Sequence, residues 1–178
     1  MANRSRGYLP HIDIPGYIQH VIFRTADALP DDVRDFISDD PEQRFAEVAR
    51  LLRSGIGARP LANPVAADIV SNALRHFVGE RYELFAWCVM PNHVHVVLRA
   101  FPGCSLSTIL HSWKSYSAKA INAQLGRSGQ VWSREWYDRA MRDEAQMEAT
   151  VRYVERNPVA AGLAARAEDW KWSSASHS

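Results

Sequence analysis

The spacing of hydrophobic positions changes several times along the chain, and each change marks an element. Residues 17–24 (YIQHVIFR) are rich in β-branched and aromatic side chains and predict a strand. From Asp27 to Gly57 the chain turns acidic and helix-like, with Phe45, Val48, Leu51 and Leu52 at helical spacing ahead of Gly55 and Gly57. Residues 30–60 are therefore expected to form an insertion or lid, not a core element. A second helix is expected from Asn63 as cap and Pro64 at its first position, with Val65, Ile69, Ala73 and Phe77 as its buried stripe.

Two strand-like runs follow, Tyr82–Met90 and His93–Ala100, separated by the turn-prone pair Pro91-Asn92, which predicts an antiparallel hairpin. Leu106–Leu125 has helical periodicity up to Gly126. Gln130–Trp132 and Tyr137–Met141 suggest one further, interrupted strand. Asp143 is a cap for a last helix that should end at Asn157, because Pro158 disfavours α geometry in the residue before it. This order predicts an α+β, ferredoxin-like sandwich: an antiparallel sheet with helices on one face, plus an acidic helical insertion after the first strand. Residues 1–178 read as one domain whose margins, 1–16 and 173–178, are expected to be mobile.

Composition narrows the class. At 178 residues, 47% hydrophobic and 23% charged, the chain has the make-up of a globular protein with a sizeable core. No apolar run approaches the roughly 18 residues of a membrane span, and the first 16 residues lack the apolar centre of a signal peptide, so a cytoplasmic location is expected. Cys88 and Cys104 make neither a disulfide framework nor a zinc-ligand set and read as reduced thiols.

A net charge of +1 argues against nucleic acid as a partner until its distribution is examined. Asp27–Glu47 holds eight acidic residues against Arg34 and Arg44, whereas Arg99–Arg142 holds seven basic residues against Glu135 and Asp138. One face attracting phosphates accounts for this asymmetry, and so does a solvated helix face beside an acidic surface loop. Arg99, Lys114, Lys119, Arg127, Arg134, Arg139 and Arg142 are the candidate phosphate contacts, and so the candidate DNA contacts if the partner is nucleic acid. Trp132, Trp136 and Tyr137 lie among them as candidate stacking residues.

Two distant segments carry candidate chemistry. In a strand, His93 and His95 share one face and offer two imidazoles to a divalent cation without completing a closed four-ligand shell. Tyr153 and Asn157 lie one helical turn apart, and the Asn157 carbonyl is a candidate third ligand. Tyrosine, with an ordinary pKa near 10, is useful as a nucleophile where a phosphotyrosine link must conserve bond energy for a later attack. A bare H-x-H also occurs as a hydrogen-bonded sheet pair, and Tyr153 alone also fits a packing role. Tyr116 and Tyr137 are rival nucleophiles without an amide residue four positions on.

At these residues the sequence resembles the single-tyrosine HUH transposases of small bacterial insertion sequences, and within them the REP-associated tyrosine transposases. The resemblance runs through VIFRT, WCVMPNHVHVVL, SWKSYSAKAIN, GQVWSREWYDRAMRDEAQMEATVRYVERNPVAAGL and WKWSS, and covers most of the chain apart from Asp27–Pro60. It implies that His93 and His95 are the metal pair and Tyr153 the nucleophile. Asn157 stands where relatives usually carry a glutamine ligand, one methylene longer. It also implies Mg2+ or Mn2+; imidazole chemistry alone favours softer ions such as zinc, nickel or manganese, and manganese fits both arguments.

The function expected is a metal-dependent single-stranded DNA endonuclease and strand transferase acting on hairpins of palindromic repeats, as a monomer or homodimer. The alternatives are a palindrome-binding protein derived from such a transposase that no longer cuts, and a hydrolase of small phosphoesters.

Overall fold

The protein is described by a computed structural model that covers residues 16–30 and 37–177. The expectation for residues 1–16 therefore falls, except for Gly16, outside the described residues, as does that for Ser178. Strands β1 (Ile18–Thr25), β2 (Tyr82–Val89), β3 (His93–Ala100) and β4 (Trp132–Ala140) form one antiparallel sheet in the order β2-β3-β1-β4. The α+β class and the hairpin around Pro91-Asn92 are as the sequence indicates, and β4 is continuous where an interruption was expected.

Helices cover both faces of the sheet, not one. Val21, Phe23, Val94, Val96 and Leu98 pack beneath α2 (Pro64–His76) and α3 (Leu106–Gln124). On the opposite face, α1 (Pro41–Arg53) lays Phe45, Val48 and Leu52 over Ile22, while α4 (Glu144–Glu155) lays Val151 and Val154 over Ala86, Cys88 and Val97. Every residue of β1 after Ile18 is buried, the polar Gln19, His20, Arg24 and Thr25 included, and β3 is buried except at Arg99, as strands covered on both faces are. The segment expected to be a lid is thus part of the core.

Helices α1 to α4 each start on a side-chain cap. Asp40, Asn63, Ser105 and Asp143 accept from the backbone N–H of Gln43, Val65, Thr108 and Gln146 at 2.9, 2.9, 3.2 and 2.7 Å. The α2 stripe differs from the expected one: Val65 is 44% exposed, and Ala66, Ala67, Val70, Ala73 and Leu74 are buried. Small side chains let α2 approach its neighbours closely, which a count of large apolar residues does not reveal. Helix α4 stops at Glu155, and Asn157 opens the short helix α5 (Asn157–Ala160), where Pro158 is accommodated in the first turn. Within residues 173–177, Ser173 is fully buried and forms a β-bridge with Cys88, and the Ser174 hydroxyl donates to Glu155 at 2.8 Å.

The return from α1 is tight. Gly57 adopts φ +79°, and a Cβ there would collide with the backbone carbonyls of Asp27 and Ala28. The neighbouring Ala58 N–H donates to the Asp27 carbonyl at 3.0 Å, tying the end of α1 to the end of β1.

Under α2 and α3, the buried Tyr82 hydroxyl donates to the Leu74 carbonyl at 2.8 Å and accepts from the Trp113 indole at 2.9 Å. Tyr82→Phe leaves the indole N–H unpaired in the core and should cost about 1–3 kcal/mol. Urea unfolding should show it, with the exposed Tyr116→Phe within about 0.5 kcal/mol of wild type.

Candidate active site

β3 turns His93 and His95 onto the face covered by α1 and α4, and both are fully buried. Their Nε2 atoms lie 3.1 Å apart. Two nitrogens bound to one octahedral cation at right angles, with bonds of about 2.1 Å, stand about 3.0 Å apart, so the pair is spaced as two ligands of a single ion would be.

The surroundings set the tautomers. The Asn92 amide donates to the Ile56 carbonyl at 3.2 Å, which leaves its Oδ1 to accept from His93 Nδ1 at 2.7 Å. His93 Nδ1 therefore carries the proton and Nε2 the lone pair. His95 Nδ1 meets His20 Nε2 at 2.9 Å. When His95 Nδ1 donates in that contact, both Nε2 lone pairs of the His93–His95 pair face the same point. His20, on β1 opposite Val97, was not singled out by the sequence, because a lone histidine in a strand carries no spacing signal.

All three imidazoles are held neutral. Burial dominates in each case. It pushes the His95 pKa down to about 3, with help from the charge of Arg53. The pKa of His93 is lowered further by His95 and Arg53, and that of His20 by His95 and Arg139.

Of the three candidate tyrosines, the structure brings only Tyr153 to this cluster. Its ring centroid lies 5.8 Å from that of His95 and 6.0 Å from that of His20, both edge-on, and it is 36% exposed. Tyr116 lines a cavity of about 340 Å³ between α2 and α3 on the opposite face, and Tyr137 is buried beneath α1. Asn157 is 1% exposed, and neither its Oδ1 nor its Nδ2 has a hydrogen-bond partner. A buried amide left unpaired costs about 1–3 kcal/mol and calls for a ligand, which suits a metal-binding role. Among the described residues no three His, Cys, Asp or Glu side chains converge as a metal cluster.

The candidate DNA contacts do not form one surface. Trp132 is 5% exposed, donates to Ser117 at 2.9 Å and packs on Phe23, so it belongs to the core and offers no stacking face. Arg99 is paired with Glu83, and Arg142 with Glu42 at 2.8 Å. Lys114 donates to the Arg134 carbonyl at 3.1 Å, and its pKa is lowered to about 8 by burial and by Arg24. Lys119, Arg127 and Arg134 are exposed. Only Arg139 lines the groove, of about 490 Å³, that contains His20 and Tyr153.

An antiparallel sheet with a buried histidine pair on one strand and a tyrosine on the helix above it defines a class of proteins, and sequence comparison supplies the family. The model of the IS200-like transposases matches residues 64–157, more than half of the chain, from α2 through Asn157. The chain belongs to that family. Among solved structures, a REP-associated tyrosine transposase bound to a REP hairpin is similar in fold, with a TM-score of 0.65 at 17% identity, covering 97% of this chain and 84% of the other. A candidate transposase of Deinococcus radiodurans R1 is 19% identical over 88% of this chain and 98% of its own, but its TM-score of 0.36 adds nothing to the fold argument. No curated protein sequence matches. Among the described residues no helix is long and apolar enough to cross a membrane.

Because the three histidines are neutral when folded and titrate near 6.5 when unfolded, the unfolded chain binds more protons below that value. Their contribution to stability is therefore complete above about pH 6.5 and is lost as pH falls toward the folded value near 3 for His95. Melting in EDTA should show a lower midpoint at pH 4.5 than at pH 7.5, with a smaller drop in His95→Gln.

Proposed function

We propose that this transposase cuts and rejoins single-stranded DNA through a 5'-phosphotyrosine link on Tyr153, with Mg2+ or Mn2+ held by His93, His95 and Asn157. The observation that carries the reading is the Tyr153 ring packed edge-on against His95, whose Nε2 converges with that of His93. A cation bound there would polarise the phosphoryl group and offset the charge that develops on it.

The protein's own groups do the rest. His93 and His95 present their lone pairs, Asn92 and His20 hold the two rings, and Tyr153 provides the attacking oxygen. As the Tyr153 Oη–phosphorus bond forms, the phenolic proton is lost to solvent and the phosphorus–O3' bond breaks, releasing a 3'-hydroxyl once that oxygen is protonated. The link stores the phosphodiester's bond energy, so a 3'-hydroxyl can reverse the step and join strands. Hairpin DNA is the proposed substrate: the motifs resemble those of REP-associated enzymes, and the neighbour of like fold is bound to a REP hairpin.

Wild-type protein incubated with Mn2+ and labelled hairpin DNA should give a DNA adduct that survives denaturing electrophoresis, and Tyr153→Phe should give none. An adduct of equal yield in the variant would overturn the assignment. His20→Phe preserves the ring's bulk while removing the partner of His95 Nδ1. It should weaken Mn2+ affinity by about 10- to 100-fold in calorimetric titration.

A further inference from the structure

The sequence marks residues 27–47 as the acidic part of the chain, yet the groove wall that α1 forms is basic. The acidic side chains of α1 and its cap are engaged elsewhere: Glu42 with Arg142, Glu47 with the Ser38 N–H at 2.8 Å, Asp40 with the Gln43 N–H, and Asp39 with Arg44. Arg50 and Arg53, one turn apart near the C-terminal end of α1, line the groove between α1 and α4. Arg139 of β4, directly opposite His20 in the sheet, lines the same groove.

Tyr153 shares that groove, and none of its lining residues is an aspartate or glutamate. None of the three guanidinium groups makes an ion pair among the described residues. Arg53 is near enough to depress the pKa of His93 and His95, and Arg139 that of His20. Three cations that line one groove without a counter-charge among the described residues repel one another, and that repulsion is relieved by an anion with several oxygen acceptors. Guanidinium forks match phosphate oxygens, and a groove of about 490 Å³ open to solvent admits a strand of nucleic acid.

We propose that Arg50, Arg53 and Arg139 form a phosphodiester cradle that holds the backbone of single-stranded DNA against Tyr153. The cradle rests on the reading of DNA as substrate. It adds Arg50 and Arg53, which the net charge of their segment conceals, and gives α1 a direct part in substrate binding.

The test is anisotropy of a labelled hairpin oligonucleotide with a single-stranded flank, in EDTA so that metal and cleavage do not contribute. R50Q/R53Q should bind at least 10-fold more weakly than wild type, with the slope of log affinity against log salt reduced by about one to two. R50K/R53K should regain most of the loss. Ala149→Glu, at an exposed position on the α4 wall, should also weaken binding, whereas Arg166→Gln, far from the groove in sequence and already paired with Asp169, should not. Melting midpoints would establish that each variant is folded.

Affinity within twofold of wild type and an unchanged salt slope in R50Q/R53Q would overturn the cradle, as would an equal loss in Arg166→Gln. If R50Q/R53Q behaves as expected but wild type forms no adduct with Mn2+, the cradle stands and the cleavage reading falls. If wild type forms the adduct and R50Q/R53Q binds normally, the cradle alone falls.

Discussion

The register between β1 and β3 is the constraint on which the rest depends. Ile22 lies opposite His95 and His20 opposite Val97, so one ladder sends His20, His93 and His95 to one face and Val21, Phe23, Val94 and Val96 to the other. Side chains alternate with a period of two, so a slip of β3 by one residue would drive His93 and His95 into the core beneath α2 and α3, away from His20, and expel the valines. Apolar packing on one face thus fixes the polar chemistry on the other. The histidines can be held neutral and close together because the strand is anchored from behind, independently of anything bound in front.

In the proposed reading, the site is prepared for a cation with few charges. Burial removes protons from the imidazoles, Asn92 and His20 orient them, and nearby arginines reinforce the neutral state. No carboxylate is needed for any of this. In the proposed reading, a positive wall that would weaken cation binding in isolation becomes compatible with it once a phosphate chain lies between, because the DNA would supply the negative charge that the protein omits.

Much of the architecture was legible in the chain because local signals agreed with the tertiary outcome. Capping residues, the Pro91-Asn92 turn and the apolar runs of β2 and β3 marked their elements within a residue or two. What was hidden was relational. Polar residues interrupt β1 and β3, so their burial on both faces, and with it the core role of α1, could not be read from the strands themselves. Trp132 sits among arginines in sequence but points into the core, because alternation along β4 separates neighbours onto opposite faces. His20 acquires meaning only through a partner 75 residues away. Arg50 and Arg53 were masked by the acidic average of their segment, which says nothing about the direction in which each charge faces. Asn157 was visible through its spacing from Tyr153, but not the break at Arg156 that places it at the start of a new helix.

The connection after α1 has a consequence for how this protein can diverge. Surface loops ordinarily absorb insertions and deletions with little effect. Here the Ile56 carbonyl orients Asn92, Asn92 orients His93, and Gly57 has no room for a side chain. Lengthening these few residues would release a ring on β3, on a strand far away in sequence. This connection thus behaves as part of the histidine site, and variation among close relatives should accumulate elsewhere on the molecule.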